Sequence, residues 1–287
     1  MNENKVTIRV WGDFACFTRP EMKVERVSYP VMTPSAARGI LEAIFWEPQI
    51  YYVIDSIRVV KRGRWVSFRR NEVISRISID SAKTWMKSPE KLARISAGGG
   101  AADGTQRNTL ALEGVEYIIT AEVRLSELGS ASGNTIRKYL DEIERRARSG
   151  KCFHRPALGL REFAADFDWE ADAQRALERR AAELGDNWSG GINEDIGLML
   201  YDVFDADERK QGFRWLSAEE LAQLEVERAG AIAALPKSQR KAASKEPLAR
   251  WEGRLIKPRA AFFHARVKNS TLDCHPERVK ILNSGRN

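Results

Sequence analysis

The chain has 287 residues, 43% of them hydrophobic and 30% charged, with a formal net charge of +7. This is a globular composition, long enough for one large domain or two modest ones, and no apolar run approaches the roughly 20 residues of a membrane-crossing helix. The positive balance suits a polyanionic partner, because every neutralised phosphate releases condensed counterions.

Met1 to Val6 are polar and lead into a strand-like segment, so no secretory signal is expected. The three cysteines, Cys16, Cys152 and Cys274, are widely spaced and odd in number, which points to a reducing cytoplasm. Residues 5–11 alternate polar and apolar, the pattern of a half-buried strand. Thr33-Pro34 opens a helix, Thr33 as cap and Pro34 in the first turn, running to about Trp46 before Pro48. Residues 50–61 read as a second strand, 64–76 as an arginine-bearing arm or hairpin, and 86–108, with Gly98-Gly99-Gly100 and Gly104, as a mobile loop.

A third strand is predicted over 115–125 and a helix over 135–148, with Ile136, Leu140, Ile143 and Ala147 on one face. Residues 152–163 then read as the closing strand, interrupted by Pro156 and Gly159. The order strand, helix, strand, strand, helix, strand is that of a ferredoxin-like, RNA-recognition-motif-like fold with a basic hairpin insertion. Beyond it, 171–184 read as helix and 196–204 as strand, and Ser217-Ala-Glu-Glu220 is a capping box for a helix to about Ala234. The polar, basic stretch 236–250 reads as flexible and 260–272 as a hairpin. The expected fold class is α+β: a first domain over 1–165 and a smaller antiparallel β-sheet domain over 166–287, with helical insertions at about 217–258.

The cations cluster. Arg19, Lys23 and Arg26 share one loop; Lys61, Arg62, Arg64, Arg69 and Arg70 fall within ten residues; Arg137, Lys138, Arg145, Arg146, Arg148 and Lys151 gather on and after one predicted helix. Interleaved Trp11, Phe14, Phe17, Trp65 and Phe68 favour a nucleic-acid surface over merely solvated charge. The glycine run lacks the Gly-Lys-Ser/Thr of a phosphate loop. Cys152 with His154, and Cys274 with His275, lack paired metal-ligand spacing and read as buried thiols beside ordinary histidines. His154 is expected on a buried strand. Asp166, Asp168 and Glu170 have no second acidic set to make a metal-dependent nuclease.

Longer runs resemble a known family. They are Val10 to Pro30, Thr33 to Ile44, Arg69-Arg-Asn-Glu-Val73, Gln106-Arg-Asn-Thr109, Arg145-Arg-Ala-Arg148, Leu158-Gly-Leu-Arg-Glu-Phe163, Gly197-Leu-Met-Leu-Tyr-Asp202 and Phe262-Phe-His-Ala-Arg266. Together they resemble the CRISPR-associated fifth Cas family, type I-C (Dvulg) subtype. The resemblance implies a metal-independent endoribonuclease that cuts the repeat hairpin of precursor CRISPR RNA by 2′-hydroxyl attack. It also implies retention of the 5′ handle, as a subunit of a Cascade surveillance complex beside backbone and large subunits. No metal or other cofactor is expected. Contact with duplex DNA is allowed by the charge but has no groove-reading motif behind it.

Carried over by position, the family's catalytic groups fall on Phe45, Lys138 and Tyr139. Phe45 has no titratable group, Lys138 can neutralise phosphate charge, and a tyrosine, with an ordinary pKa of about 10, is a poor base unless cations lower it. His154 is a possible substitute base. RNA phosphates are expected on Arg19, Lys23, Arg26, Arg69, Arg70, Arg107, Arg137 and Arg145. Two readings stay open: a retained nuclease, and a non-catalytic subunit that only holds the handle.

Overall fold

Alternation at Val6, Ile8 and Val10 drives strand β1 (Lys5–Ala15), whose inward side chains are almost fully buried. The computed structural model describes residues 4–92, 94–98, 100–131, 133–188, 190–253 and 258–283. After a two-residue strand, β2 (Arg26–Val27), comes helix α1 (Pro34–Ile44). The Thr33 hydroxyl accepts from the Ala36 amide at 3.2 Å, as the cap expectation requires, but the helix ends at Ile44 because Phe45 is extended.

Strand β3 (Ile50–Lys61) matches its expected span. It is followed by β4 (Arg64–Val73), α2 (Ile79–Lys87) and the long β5 (Gly104–Leu125). The stretch read as a loop therefore begins β5 at Gly104: residues 104–113 are strand because β4 supplies their hydrogen-bond partners. Then come α3 (Glu127–Ala131), α4 (Ile136–Arg148) and β6 (Asp166–Trp169). Residues 152–163 are not the closing strand. They form turns, and the strand that pairs with β1 is β6, just downstream.

Helix α5 (Ala173–Leu184) leads into β7 (Glu194–Asp202), α6 (Ala206–Lys210) and β8 (Phe213–Trp215). Helix α7 (Ala218–Ala234) starts at the expected capping box, with Ser217 and Glu220 each bonding the other's backbone. Residues expected to be flexible form α8 (Lys237–Ala243), which docks on α7 as Arg228 donates to the Ala243 and Glu246 carbonyls. The chain closes with β9 (Trp251–Gly253), β10 (Ala261–Lys268), β11 (Thr271–Asp273) and β12 (Ile281–Asn283). Asn269 and Ser270, both at positive φ, make the β10–β11 hairpin turn.

The architecture is α+β on a mainly antiparallel sheet. Its strands run β6–β1–β5–β3, continuing through β11 to β10, which is flanked by β7 and β12. Both α1 and α4 bury apolar stripes, Ala37, Ile40, Leu41 and Ile44 with Tyr139, Leu140, Ile143 and Ala147, on one face of β1, β3 and β5. The opposite face is covered by α5, through Ala173, Ala176 and Leu177 against Val60 and Ile118. Among the described residues, no helix is long and apolar enough to cross a membrane.

Candidate nucleic-acid interface

The first half of β5 pairs along its length with β4, forming a two-stranded arm. Side chains on each strand alternate between faces, and directly opposed residues share one. One face carries Trp65, Arg69 and Asn71, with Asn108 opposite Arg69 and Gln106 donating to Asn71 at 3.2 Å. Trp65 is 47% exposed there. The other face carries Phe68, Arg70 and Glu72. Phe68 packs 5.1 Å from Phe14 and 6.1 Å from Phe163.

The arm gathers cations far apart in sequence. Glu72 holds Arg26 at 2.6 Å and Arg107 at 3.4 Å, and Arg70 pairs with Glu162. Arg19 lies 3.8 Å from Glu21 and 4.5 Å over the Tyr29 ring. Arg69 and Lys23 have no carboxylate partner among the described residues. On α4, Arg137 pairs with Asp141 at 2.8 Å and Arg145 with Glu142 at 2.7 Å. Exposed pairs of this kind are worth about 0–1 kcal/mol, so a phosphate can take the arginine from its carboxylate. Among the described residues, no ion pair, hydrogen bond or ring contact joins the α4 cations to those of the arm.

The three positions matched to the family's catalytic groups lie where α1 meets α4. Phe45, 6% exposed, has the Arg146 guanidinium 5.3 Å over its ring, and its carbonyl accepts from the Tyr52 hydroxyl at 2.6 Å. Arg145 and Arg146 both bond Glu142, holding its carboxyl down at about 2, so the anchor for Arg146 is ionised at neutral pH. Lys138 is exposed, its ammonium 5.1 Å over the Tyr139 ring. Tyr139 is 1% exposed, and its hydroxyl has no hydrogen-bond partner among the described residues. Burial, assisted by the charge of Glu47, pushes its pKa up. The condition for Tyr139 to act as a base, a pKa lowered by cations, is absent.

The segment 152–163 joins the two regions. At one end, the Phe153 and His154 amides donate to the Ala43 carbonyl at 2.9 and 3.0 Å. At the other, Glu162 meets Arg70 and Phe163 packs on Phe68. The middle is anchored by the Cys16 amide to the Leu158 carbonyl, 2.9 Å, and by fully buried Leu158. Gly159 has φ +90°, and a Cβ there would lie 2.0 Å from the Cys16 carbonyl oxygen, so the close approach requires glycine.

His154 is therefore not on a buried strand. It is exposed in this loop, because Pro156 and the turn at Gly159 keep the segment from pairing as a strand. Cys152, expected to be buried, is partly exposed, whereas Cys274 is buried as expected, and His275 beside it is buried too. Between the loop and α1 lies an open cleft of about 530 Å³, lined in part by Thr18, Ser35, Glu42, His154, Arg155 and Arg161. Sequence reasoning missed Arg155, Arg161 and the bridging role of Glu72. The signal for Arg161 was present, inside the run Leu158 to Phe163.

A family model described as CRISPR-associated protein (Cas_Cas5) matches residues 6–219. A protein of Mannheimia succiniciproducens named CRISPR pre-crRNA endoribonuclease Cas5d is 42% identical over 202 residues, covering 70% of this chain and 85% of the relative. A protein of the same name from Thermus thermophilus is 38% identical over 199 residues, 69% of this chain and 73% of the relative. A crystal structure titled as a CRISPR-associated protein shares the fold at TM-score 0.50 and 17% identity, over 94% of this chain and 90% of that one.

Proposed function

The chain belongs to the CRISPR-associated Cas5 family, and on that premise we propose that it is the endoribonuclease that cuts precursor CRISPR RNA. The observation that carries this reading is the agreement of two relatives, at 42% and 38% identity, on that one activity. In this reading the arm grips the repeat RNA through Arg69, Arg70, Arg107 and Arg26, with Arg19 and Lys23 at its flank. Arg137, Lys138 and Arg145 of α4 extend the phosphate track. Lys138 supplies the cation for charge developing on the scissile phosphate. Phe45 and Tyr139 form the packed floor of the site rather than its acid–base pair.

Several finer features belong to the same proposal. Cleavage proceeds by 2′-hydroxyl attack without a metal, and the product stays bound by its 5′ handle as the protein joins the other subunits of a type I-C surveillance complex. The ferredoxin-like reading of the first part is supported by the strand order β6–β1–β5–β3 with α1 and α4 as crossovers. The proposed division at 165/166 falls immediately before β6, the strand that completes that order.

One observation favours a second reading, a handle-binding subunit that does not cut. Phe45 cannot ionise and the Tyr139 hydroxyl is buried. The two separate in one experiment: incubation of the purified chain with the repeat RNA of its own array in EDTA. A single cut ending in a 2′,3′-cyclic phosphate, abolished by a 2′-deoxy substitution at the scissile nucleotide, supports the nuclease. Tight binding with the hairpin left whole supports the scaffold.

A further inference from the structure

If Phe45 and Tyr139 supply no base, the nuclease reading needs one elsewhere, and resting on that reading we propose that His154 is the general base, acting in the cleft between α1 and the loop 154–161. Four observations converge. First, His154 is exposed, and its ring nitrogens have no hydrogen-bond partner among the described residues. Its one recorded ring contact is with Phe153, at 4.5 Å. An imidazole left free in this way can accept a proton from a substrate.

Second, its backbone amide is tied to Ala43, two residues before Phe45, so the imidazole stands beside the end of α1 where the family's reactive group maps. Third, the same loop brings Arg161 to the cleft with no carboxylate partner among the described residues, and Arg155, held loosely to Asp166 at 3.3 Å. The carboxylate on the opposite wall, Glu42, is bound to Arg38 at 2.5 Å and lies 3.9 Å from Arg209, so its charge is largely compensated. The cleft thus favours an anion.

Fourth, the loop ends on the RNA arm, at the Arg70–Glu162 pair. A strand held on the arm and running toward α1 passes over the cleft.

In the step this assigns, the His154 imidazole takes the proton from the ribose 2′-hydroxyl as that oxygen bonds to the adjacent phosphorus. The bond from phosphorus to the 5′-oxygen breaks, and that oxygen takes a proton from water. The products are a 2′,3′-cyclic phosphate and a 5′-hydroxyl. In this cleft, which Lys138 does not line, it is Arg161 that faces the phosphate, whose charge grows as the fifth ligand arrives, and Lys138 is left to the phosphate track along α4.

The experiment is single-turnover cleavage of the array's own repeat hairpin in EDTA by the full chain, with His154→Ala, His154→Gln and Arg161→Ala beside wild type. The ring of His154 makes no hydrogen bond among the described residues, so melting temperatures of the His154 variants match wild type. General-base removal costs about 100-fold or more in rate, while RNA affinity stays within about threefold, and added imidazole restores part of the rate to His154→Ala but none to Arg161→Ala.

The wild-type pH–rate profile carries a general-base limb that the His154→Ala profile lacks. The other titratable or charged groups facing the cleft, Glu42, Arg155, Arg161 and Cys16, are the same in both proteins. Cleavage by His154→Ala within threefold of wild type, with the same pH profile, overturns the proposal and leaves the nuclease reading standing. A wild-type protein that binds the hairpin but never cuts it overturns both.

Discussion

The amide of His154 donates to the carbonyl of Ala43 at 3.0 Å, fixing the loop after α4 to the last turn of α1. That bond connects residues 111 positions apart and places an exposed imidazole beside a position where this chain carries a phenylalanine. Because the loop's far end is paired to the β4–β5 arm, the proposed grip and the proposed chemistry share one short segment.

Gly159 is the residue on which this arrangement depends. At φ +90° and with the Cys16 carbonyl oxygen 2.0 Å from where a Cβ would stand, Gly159→Ala is both strained and obstructed. The expected cost is about 2 kcal/mol or more, read as a lowered unfolding midpoint in urea. Cleavage falls further than RNA affinity does, because the arm's own strands remain paired.

Arg69 is exposed and has no carboxylate partner among the described residues, so in the proposed reading it is free to meet phosphate. Arg69→Ala lowers the slope of log affinity against log salt by about one, measured by filter binding from 50 to 200 mM salt. Arg70→Ala gives a smaller change in slope, since Glu162 already neutralises that guanidinium.

The buried, unpartnered hydroxyl of Tyr139 costs stability, on the order of 1–3 kcal/mol for such a group. Tyr139→Phe removes it at constant shape. The melting temperature therefore rises by a few degrees and cleavage stays within about threefold. A tenfold loss of cleavage at unchanged stability would show instead that the hydroxyl reaches RNA.

A buried cluster joins α1 to β7 and α6: Arg38 bonds Asp202 at 2.8 and 3.0 Å, and Arg209 lies 3.8 Å away. Burial alone would raise the pKa of Asp202, but Arg38, Arg209 and the Val203 amide together outweigh it and the net value lies below the ordinary carboxylate range. A depressed pKa contributes stability that is present above the unfolded value and lost as pH falls through the folded one. Acid unfolding therefore draws on this cluster below about pH 4. Asp202→Asn leaves two buried guanidinium groups short of charge and costs roughly 3–5 kcal/mol at neutral pH, with a shallower acid limb in the stability profile.

Elements with local signals were legible from the sequence. Thr33-Pro34 dictates the start of α1, the unbroken apolar run makes β3, Ser217 with Glu220 starts α7, and the alternation in 260–272 gives the final hairpin. Each is decided by contacts within a few residues, so composition and spacing suffice. The clustering of Arg69 and Arg70 with Lys61, Arg62 and Arg64 was also readable, as was the loss of a titratable group at Phe45.

Other features were decided by partners far along the chain. Residues 104–113 are strand only because β4 completes their hydrogen bonds, and α8 forms where its composition suggested none. Tyr139 is buried because α4 lies on the sheet, and His154 is exposed because Leu158 and Gly159 dock on Cys16. A residue's type determines what chemistry it can perform. Whether it meets solvent, a carboxylate or the core depends on distant segments, and only the tertiary structure supplies those.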